Sequence, residues 1–298
     1  MYEFKTAKQL LIHCAKHKSR VSEITVLYEM EYSRCPRSEV LSKMRRNKMV
    51  MREAVKTALR KRKKPVYGMS GGDAAKLLRA SRSKKMAVSP LVARAMAYAV
   101  ATGETNSSMG RISAFPTAGG AGVVPGVLLA ASEKWGLSEQ KLLRGLFTAG
   151  AVGKIIAENA TLSAAAGGCQ AEVGAATAMA AAGLTEMRGG TPEQCLNAAS
   201  IALKSYLGLI CDPLGGLVAV PCIKRNMLGA SAACAASDAS IAGVNSFVPF
   251  DEVVVAMKNV SKTMSYKLRE TALGGLAVTK TGLRIRKKMG LNGKTLAP

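Results

Sequence analysis

The chain is 298 residues long, 48% hydrophobic and 21% charged, which suffices for one large or two ordinary buried cores and excludes a disordered chain. Its net charge of +24 is uneven: residues 1–100 carry 24 basic and 7 acidic side chains, residues 101–250 nine of each, and residues 251–298 ten and three. A neutral centre that holds 21 of the 29 glycines therefore lies between two basic flanks.

Residues 112–132 form the longest uncharged run, but Pro116, Pro125 and four glycines make it a poor membrane span. The opening Met1-Tyr2-Glu3-Phe4-Lys5 lacks the charged-then-apolar order of a signal peptide, so a cytoplasmic location is expected. Seven cysteines in such a chain point to metal-binding, catalytic or buried thiols rather than to a disulfide framework.

In chain order, Val40, Met44, Met51, Val55 and Ala58 recur at helical spacing, and residues 22–61 read as two helices broken at Cys35-Pro36. Arg60-Lys61-Arg62-Lys63-Lys64 then reads as a solvated helix end, with a patch for nucleic acid or an acidic partner as the alternative. Ser70-Gly71-Gly72-Asp73 precedes a helix over 74–80, where backbone N–H groups stand open to an anion such as a carboxylate. Ser89-Pro90 supplies the N-cap and first position of a helix to about Thr102.

Residues 106–125 are Gly-rich, from Asn106-Ser107-Ser108-Met109-Gly110-Arg111 to Phe115-Pro116-Thr117-Ala118-Gly119-Gly120-Ala121-Gly122, and read as a loop pressed against a small zwitterion. Further helices are expected over 138–159, 170–183, 226–242 and 251–264. A capping box with proline at the first helical position, Thr191-Pro192-Glu193-Gln194, opens another to Leu207. The fold class is all-α: Gly/Ala-rich central helices that approach closely, with short Gly/Pro loops converging on one pocket.

Cys195 and Cys234 lie inside helical runs and read as core-filling thiols. Cys14 and Cys35 sit in the basic flank without a neighbouring thiol, and His13 and His17, four apart, make only a weak metal pair. Cys169, Cys211 and Cys222 differ, because each is tied to a Gly- or Pro-marked turn. Cys169 also opens a helix, where free amides lower a thiol's pKa. Their spacing of 42 and then 11 residues is not a compact CxxC signature, so spacing alone leaves packed thiols and a shared metal both open.

Several longer runs decide between them. Gly168-Cys169-Gln170-Ala171-Glu172-Val173-Gly174, Leu209-Ile210-Cys211-Asp212-Pro213, Val220-Pro221-Cys222-Ile223-Lys224-Arg225-Asn226, Met109-Gly110-Arg111 with Pro116-Thr117-Ala118-Gly119, and Arg269-Glu270-Thr271-Ala272-Leu273-Gly274-Gly275 closely resemble the α chain of bacterial iron-sulfur L-serine dehydratase. The resemblance extends over about 22–282. It implies a catalytic domain there, between a basic N-terminal segment (1–21) and a basic tail (283–298), with a 4Fe-4S cluster held by Cys169, Cys211 and Cys222.

Three thiolates on four irons leave one iron free to act as a Lewis acid on the serine hydroxyl, and the product enamine goes on to pyruvate and ammonia. Candidate groups for the substrate carboxylate are Ser70, Gly71, Gly72, Asn106, Ser108, Thr117, Ala118 and Gly119, with Lys224 as the nearest cation. The family usually carries an acidic residue where this chain has Ala166. The Ser-His-Thr motif of the family's β portion, the expected source of the general base, has no counterpart here. A separate β subunit in a heteromer is therefore expected, and an acidic β partner would also account for the basic flanks. Alternatives are a related iron-sulfur L-cysteine desulfidase, or a basic nucleic-acid-binding protein with vestigial ligands. The 4% aromatic content counts against the latter, since base stacking needs aromatic platforms.

Overall fold

The computed structural model describes residues 1–60, 68–83 and 86–291, and among these the expected all-α architecture is found. The helices are α1 (Ala7–Lys16), α2 (Val21–Ser33), α3 (Arg37–Arg60), α4 (Asp73–Ala80), α5 (Pro90–Ser107), α6 (Val123–Lys134) and α7 (Glu139–Asn159). After these come the single turn α8 (Ala164–Gly167), then α9 (Ala175–Met187), α10 (Pro192–Lys204), α11 (Cys222–Ile241), α12 (Phe250–Thr263) and α13 (Lys280–Lys288). Extended pairing among the described residues is confined to an isolated parallel bridge between Cys211 and Arg269. None of the described helices is long and apolar enough to cross a membrane.

Helix α9 is the axis of the fold, buried along its whole length and surrounded by α6, α7, α10 and α11. Its alanines and glycines allow this. A Cβ on Gly183 would stand 2.5 Å from the Gly145 carbonyl of α7, and one on Gly229 of α11 would stand 2.7 Å from the Thr177 hydroxyl of α9. Backbones this close leave no room for larger side chains, so the small-residue faces read from sequence are the contact faces.

Local signals set most helix starts. Ser89 Oγ accepts from the Val92 N–H, Ser138 Oγ from that of Lys141, and the Thr191–Gln194 capping box forms in both directions. The N-terminal segment is tied in from far along the chain. Asp251 accepts the Ala7 and Lys8 N–H groups at 2.7 and 3.0 Å, and Phe4, Leu10 and Cys14 join the main core.

Some boundaries move. Helix α5 runs five residues past Thr102, taking Asn106 and Ser107 out of the expected loop, while α6 claims Val123 to Pro125. Helix α9 continues to Met187 rather than Gly183, α10 stops at Lys204 rather than Leu207, and α11 begins at Cys222 rather than Asn226. The basic flank is partly neutralised from within: Arg37 holds Glu23 through two hydrogen bonds of 2.6 and 2.7 Å, and Lys48 and Arg45 share Glu139. Of the basic run that starts at Arg60, positions 61–64 lie outside the described residues.

Candidate metal centre

Three chain segments that are remote in sequence meet at the lower end of α9. Gly168 takes φ +72°, and a side chain there would strike Met264 Sδ at 2.6 Å and the Leu209 carbonyl at 2.9 Å, so only glycine lets α8 turn sharply into Cys169. Residues Gln170–Gly174 then form one wide π-turn before α9 begins. Such turns accommodate an extra residue per turn and commonly mark functional sites.

Gln170 fastens this turn to its surroundings. Its backbone N–H donates to the Leu209 carbonyl at 3.0 Å, its Nε2 donates to Ser261 Oγ and the Met257 carbonyl, and its Oε1 accepts from the Gly208 N–H at 2.9 Å. Cys211 is gripped from the other side, donating its N–H to the Leu268 carbonyl at 2.7 Å and accepting the Glu270 N–H at 2.9 Å. Cys222 is the first residue of α11.

All three thiols named from sequence are buried, and of these the structure sets Cys169 and Cys211 side by side. The Sγ atoms of Cys169 and Cys211 and a carboxylate oxygen of Glu172 lie within 4.8 Å of one another. Cys222 is near enough to raise the pKa of Cys211, and Cys169 raises its own. The hydrogen bond from Cys211, with help from the Arg225 charge, holds the Cys169 thiol below its usual range. Cys211 is pushed up by that same bond and by burial, and Cys222 chiefly by burial. Among the described residues one guanidinium favours the thiolate form here, and three thiolates would require further positive charge.

That guanidinium belongs to Arg225, which lies one turn beyond Cys222 on α11. It pairs with Asp212 at 2.9 Å and donates to the Ile210 carbonyl at 2.9 Å, and its charge acts on Cys169. Asp212 in turn accepts the Leu276 N–H at 2.7 Å, which ties the 274–278 segment to the site. Two carboxylates complete the surroundings. Glu172 is buried, and Glu270 is half-buried in a left-handed conformation at φ +65°; burial raises the pKa of both. The Ala166 carbonyl, just before the Gly167-Gly168 turn, lies 3.4 Å from Arg269 Nη1.

The candidate substrate groups fall into two adjoining patches. Asn106, Ala118 and Gly119 line a narrow cavity of about 10 Å³, the size of one water, together with Cys222 and Asn226. Thr117 donates its hydroxyl to Glu172 at 2.6 Å. Asn226 fastens the loop above the thiols, donating to the Gly119 and Cys222 carbonyls at 2.6 and 2.9 Å and accepting the Gly122 N–H at 2.9 Å.

In the second patch Ser70 Oγ meets Ser107 Oγ at 3.0 Å, Gly71 and Gly72 form a left-handed turn, and Lys224 pairs with Asp73. The amides expected to be open to an anion are occupied here: the Asp73 and Ala74 N–H groups donate to the Glu104 carboxylate at 2.7 and 3.4 Å. Ser108 ends α5 through its backbone N–H, and its described contacts stay within that helix end. The remaining cysteines behave otherwise. Cys14, Cys195 and Cys234 are buried thiols pushed up by burial, and Cys35 is half-buried with Lys43 Nζ 3.4 Å away.

The family profile described as "Serine dehydratase alpha chain" matches residues 16–277, which include every residue of this centre. The chain belongs to the serine dehydratase α-chain family. Among relatives, a Bacillus subtilis protein named probable L-serine dehydratase, alpha chain, is 47% identical over 286 residues, covering 96% of this chain and 95% of that protein. The L-serine dehydratase alpha chain of Peptoniphilus asaccharolyticus is 42% identical over 282 residues, covering 95% and 97%. A Helicobacter pylori protein named L-serine dehydratase is 36% identical over 291 residues, which are 93% of this chain but 62% of that protein. The family expected from the cysteine-bearing runs is the family that matches.

Gln170, Glu172, Asn226, Arg225 and Glu270 were not singled out from sequence, although all stand in the runs that carry the resemblance. The available signal was a polar or charged residue within four positions of a turn-bound cysteine, or in a Gly-rich run of its own.

Proposed function

We propose that this chain is the α subunit of an L-serine dehydratase, a lyase that eliminates water from L-serine to give pyruvate and ammonia. Cys169, Cys211 and Cys222 would hold its 4Fe-4S cluster. The observation that carries this reading is that the buried Cys169 and Cys211 thiols and the Glu172 carboxylate lie within 4.8 Å of one another, with the buried Cys222 thiol and the half-buried Arg225 guanidinium near them, a donor set short of positive charge in the way a metal centre would correct. When bound, the cluster supplies a Lewis-acidic iron that carries no protein thiolate.

The chain's own residues do the rest. Arg225, oriented by Asp212, offsets thiolate charge at Cys169. Asn226 holds Gly119 and Gly122 over Cys222, keeping the pocket narrow enough to exclude bulk water. Substrate carboxylate and ammonium contacts fall to Asn106, Ser108, Thr117, Ala118, Gly119 and the Ser70, Gly71, Gly72 turn. Lys224 is the cation at the rim, once it exchanges Asp73 for the substrate carboxylate.

The general base is assigned to a separate β subunit in a heteromer. Both histidines lie on α1 or at its end, where His13 Nε2 is engaged with the Glu3 carbonyl, and a relative named for the whole enzyme is longer than this chain. In this reading residues 22–282 are the catalytic domain, 1–21 and 283–298 its basic flanks, and the cytoplasm keeps the thiols reduced. Anaerobic reconstitution with iron and sulfide, followed by iron counting and a serine assay, tests the proposal. Four irons per chain and turnover only with a co-expressed β chain are expected; full turnover by the α chain alone overturns the β-chain assignment.

A further inference from the structure

We propose that Glu172 is the fourth protein ligand of this centre, its carboxylate closing, in the substrate-free protein, the position that the three thiolates leave open. Glu172 has this part only if Cys169, Cys211 and Cys222 hold the cluster as proposed above. Four observations converge on it.

One is position: a Glu172 carboxylate oxygen lies within 4.8 Å of both the Cys169 and the Cys211 sulfur. Glu172 stands inside the π-turn that Cys169 opens, three residues on in the chain. The second is its partners. Glu172 is 8% exposed, yet its hydrogen bond comes from the neutral Thr117 hydroxyl, and the charged group that perturbs it among the described residues is the acidic Glu270. Buried carboxylates are ordinarily paired with a cation or a metal, and among the described residues no cation pairs with this one.

The third is the cage. A Cβ on Gly119 would collide with the Glu172 carboxylate, so the loop has been kept open for that group. The fourth is rigidity. Asn226 ties the Gly119 carbonyl to that of Cys222, so the loop enclosing the carboxylate and the third thiol move as one unit. The arrangement is a preoriented donor, not a side chain that has drifted toward the sulfurs.

A carboxylate is a harder and more exchangeable donor to iron than a thiolate, which suits a position that must be both protected and vacated. With the cluster bound, Glu172 would hold the iron that no thiolate holds and would give way to the substrate hydroxyl by ligand exchange, without a change of oxidation state.

The test uses the anaerobically reconstituted chain, wild type, Glu172→Gln and Thr117→Val, exposed to mild oxidant and an iron chelator. Iron per chain and the electron paramagnetic resonance of a three-iron cluster are followed over time. Glu172→Gln keeps the shape and the Thr117 bond but gives a far poorer ligand, and should lose one iron in four at least about ten-fold faster than wild type. Thr117→Val, which leaves the carboxylate but frees its orientation, should fall between them and stands alone should the Gln variant not fold. Equal rates of loss in all three proteins, with identical Mössbauer spectra of the fourth iron, would overturn the assignment of Glu172. A wild-type chain that takes up no four-iron cluster would instead overturn the proposed function beneath it.

Discussion

Helix α9 and the eleven residues before it are consecutive in the chain and are built by opposite means. From Ala175 to Met187 every side chain is buried and the backbone is regular, positioned by close packing of small residues against four other helices. From 164 to 174 the backbone is a single helical turn, a left-handed glycine and a π-turn, positioned by side-chain hydrogen bonds to residues as distant as Met257 and Ser261. Packing sets the framework and polar fasteners set the thiols. Damage to the first should unfold the protein, and damage to the second should leave it folded without its centre.

The largest effect is expected in the framework. Gly183→Val would drive a side chain into the Gly145 backbone, 2.5 Å from the first added carbon, and neither helix can retreat without opening the core. A loss of about 3 kcal/mol or more is expected, a fall in Tm of roughly 6–12 °C for a chain of this size. Thermal unfolding of the metal-free protein measures it. An unchanged Tm would mean that α7 and α9 are not packed backbone to backbone.

At the site the comparison reverses. Cys211→Ser should leave the metal-free Tm within about 1 kcal/mol of wild type, because sulfur and oxygen differ little in size, while most of the brown absorbance and iron are lost on reconstitution. Cys195→Ala, at a fully buried core position on α10, should do the opposite, keeping the iron and losing about 1 kcal/mol of stability. Equal loss of iron in the two variants would refute the division of the cysteines into core and centre. Asn226→Ala lies between the two regimes. It removes three hydrogen bonds for about 2 kcal/mol and frees the 119–122 loop, so iron uptake should be partial and measurable by metal content alone.

The same contrast explains what could be read from the sequence. The capping box at Thr191, the Ser138 and Ser89 caps and the small-residue faces are local patterns, and the helices they imply are present. Helix α5 outran its expected end because nothing local extends it. Thr105 donates its hydroxyl to the Ala54 carbonyl on α3, and Glu104 reaches to the start of α4, contacts that exist only in the folded chain. The family was legible through the long runs around Cys169, Cys211 and Cys222. Arg225 and Glu172 were not assigned from those runs, since a guanidinium or carboxylate declares its role only when Asp212, Thr117 or the thiols are brought beside it. At the start of α4 the Asp73 and Ala74 amides hold the Glu104 carboxylate, a pairing that likewise exists only in the folded chain.

The smallest effect tests whether a buried carboxylate away from the centre is a framework element of the other kind. Glu186, at the far end of α9, accepts from the Thr148 hydroxyl at 2.5 Å and the Ser22 N–H at 3.2 Å on one oxygen, while its Oε1 meets no donor among the described residues. Burial raises its pKa above the ordinary carboxylate value. Below the unfolded-state pKa of about 4.3 both states are protonated and Glu186 adds no pH dependence. As pH rises past that value the unfolded chain releases its proton first, so the folded state is progressively disfavoured until its own raised pKa is passed. Glu186→Gln keeps an acceptor for Thr148 and Ser22 without the titration. Its Tm relative to wild type should therefore climb as pH goes from 4 towards neutrality and then level off. A difference that stays constant over that range would mean that Glu186 is ionised in the fold like any surface carboxylate, and that α9 tolerates a buried charge its small-residue packing gives no means to neutralise.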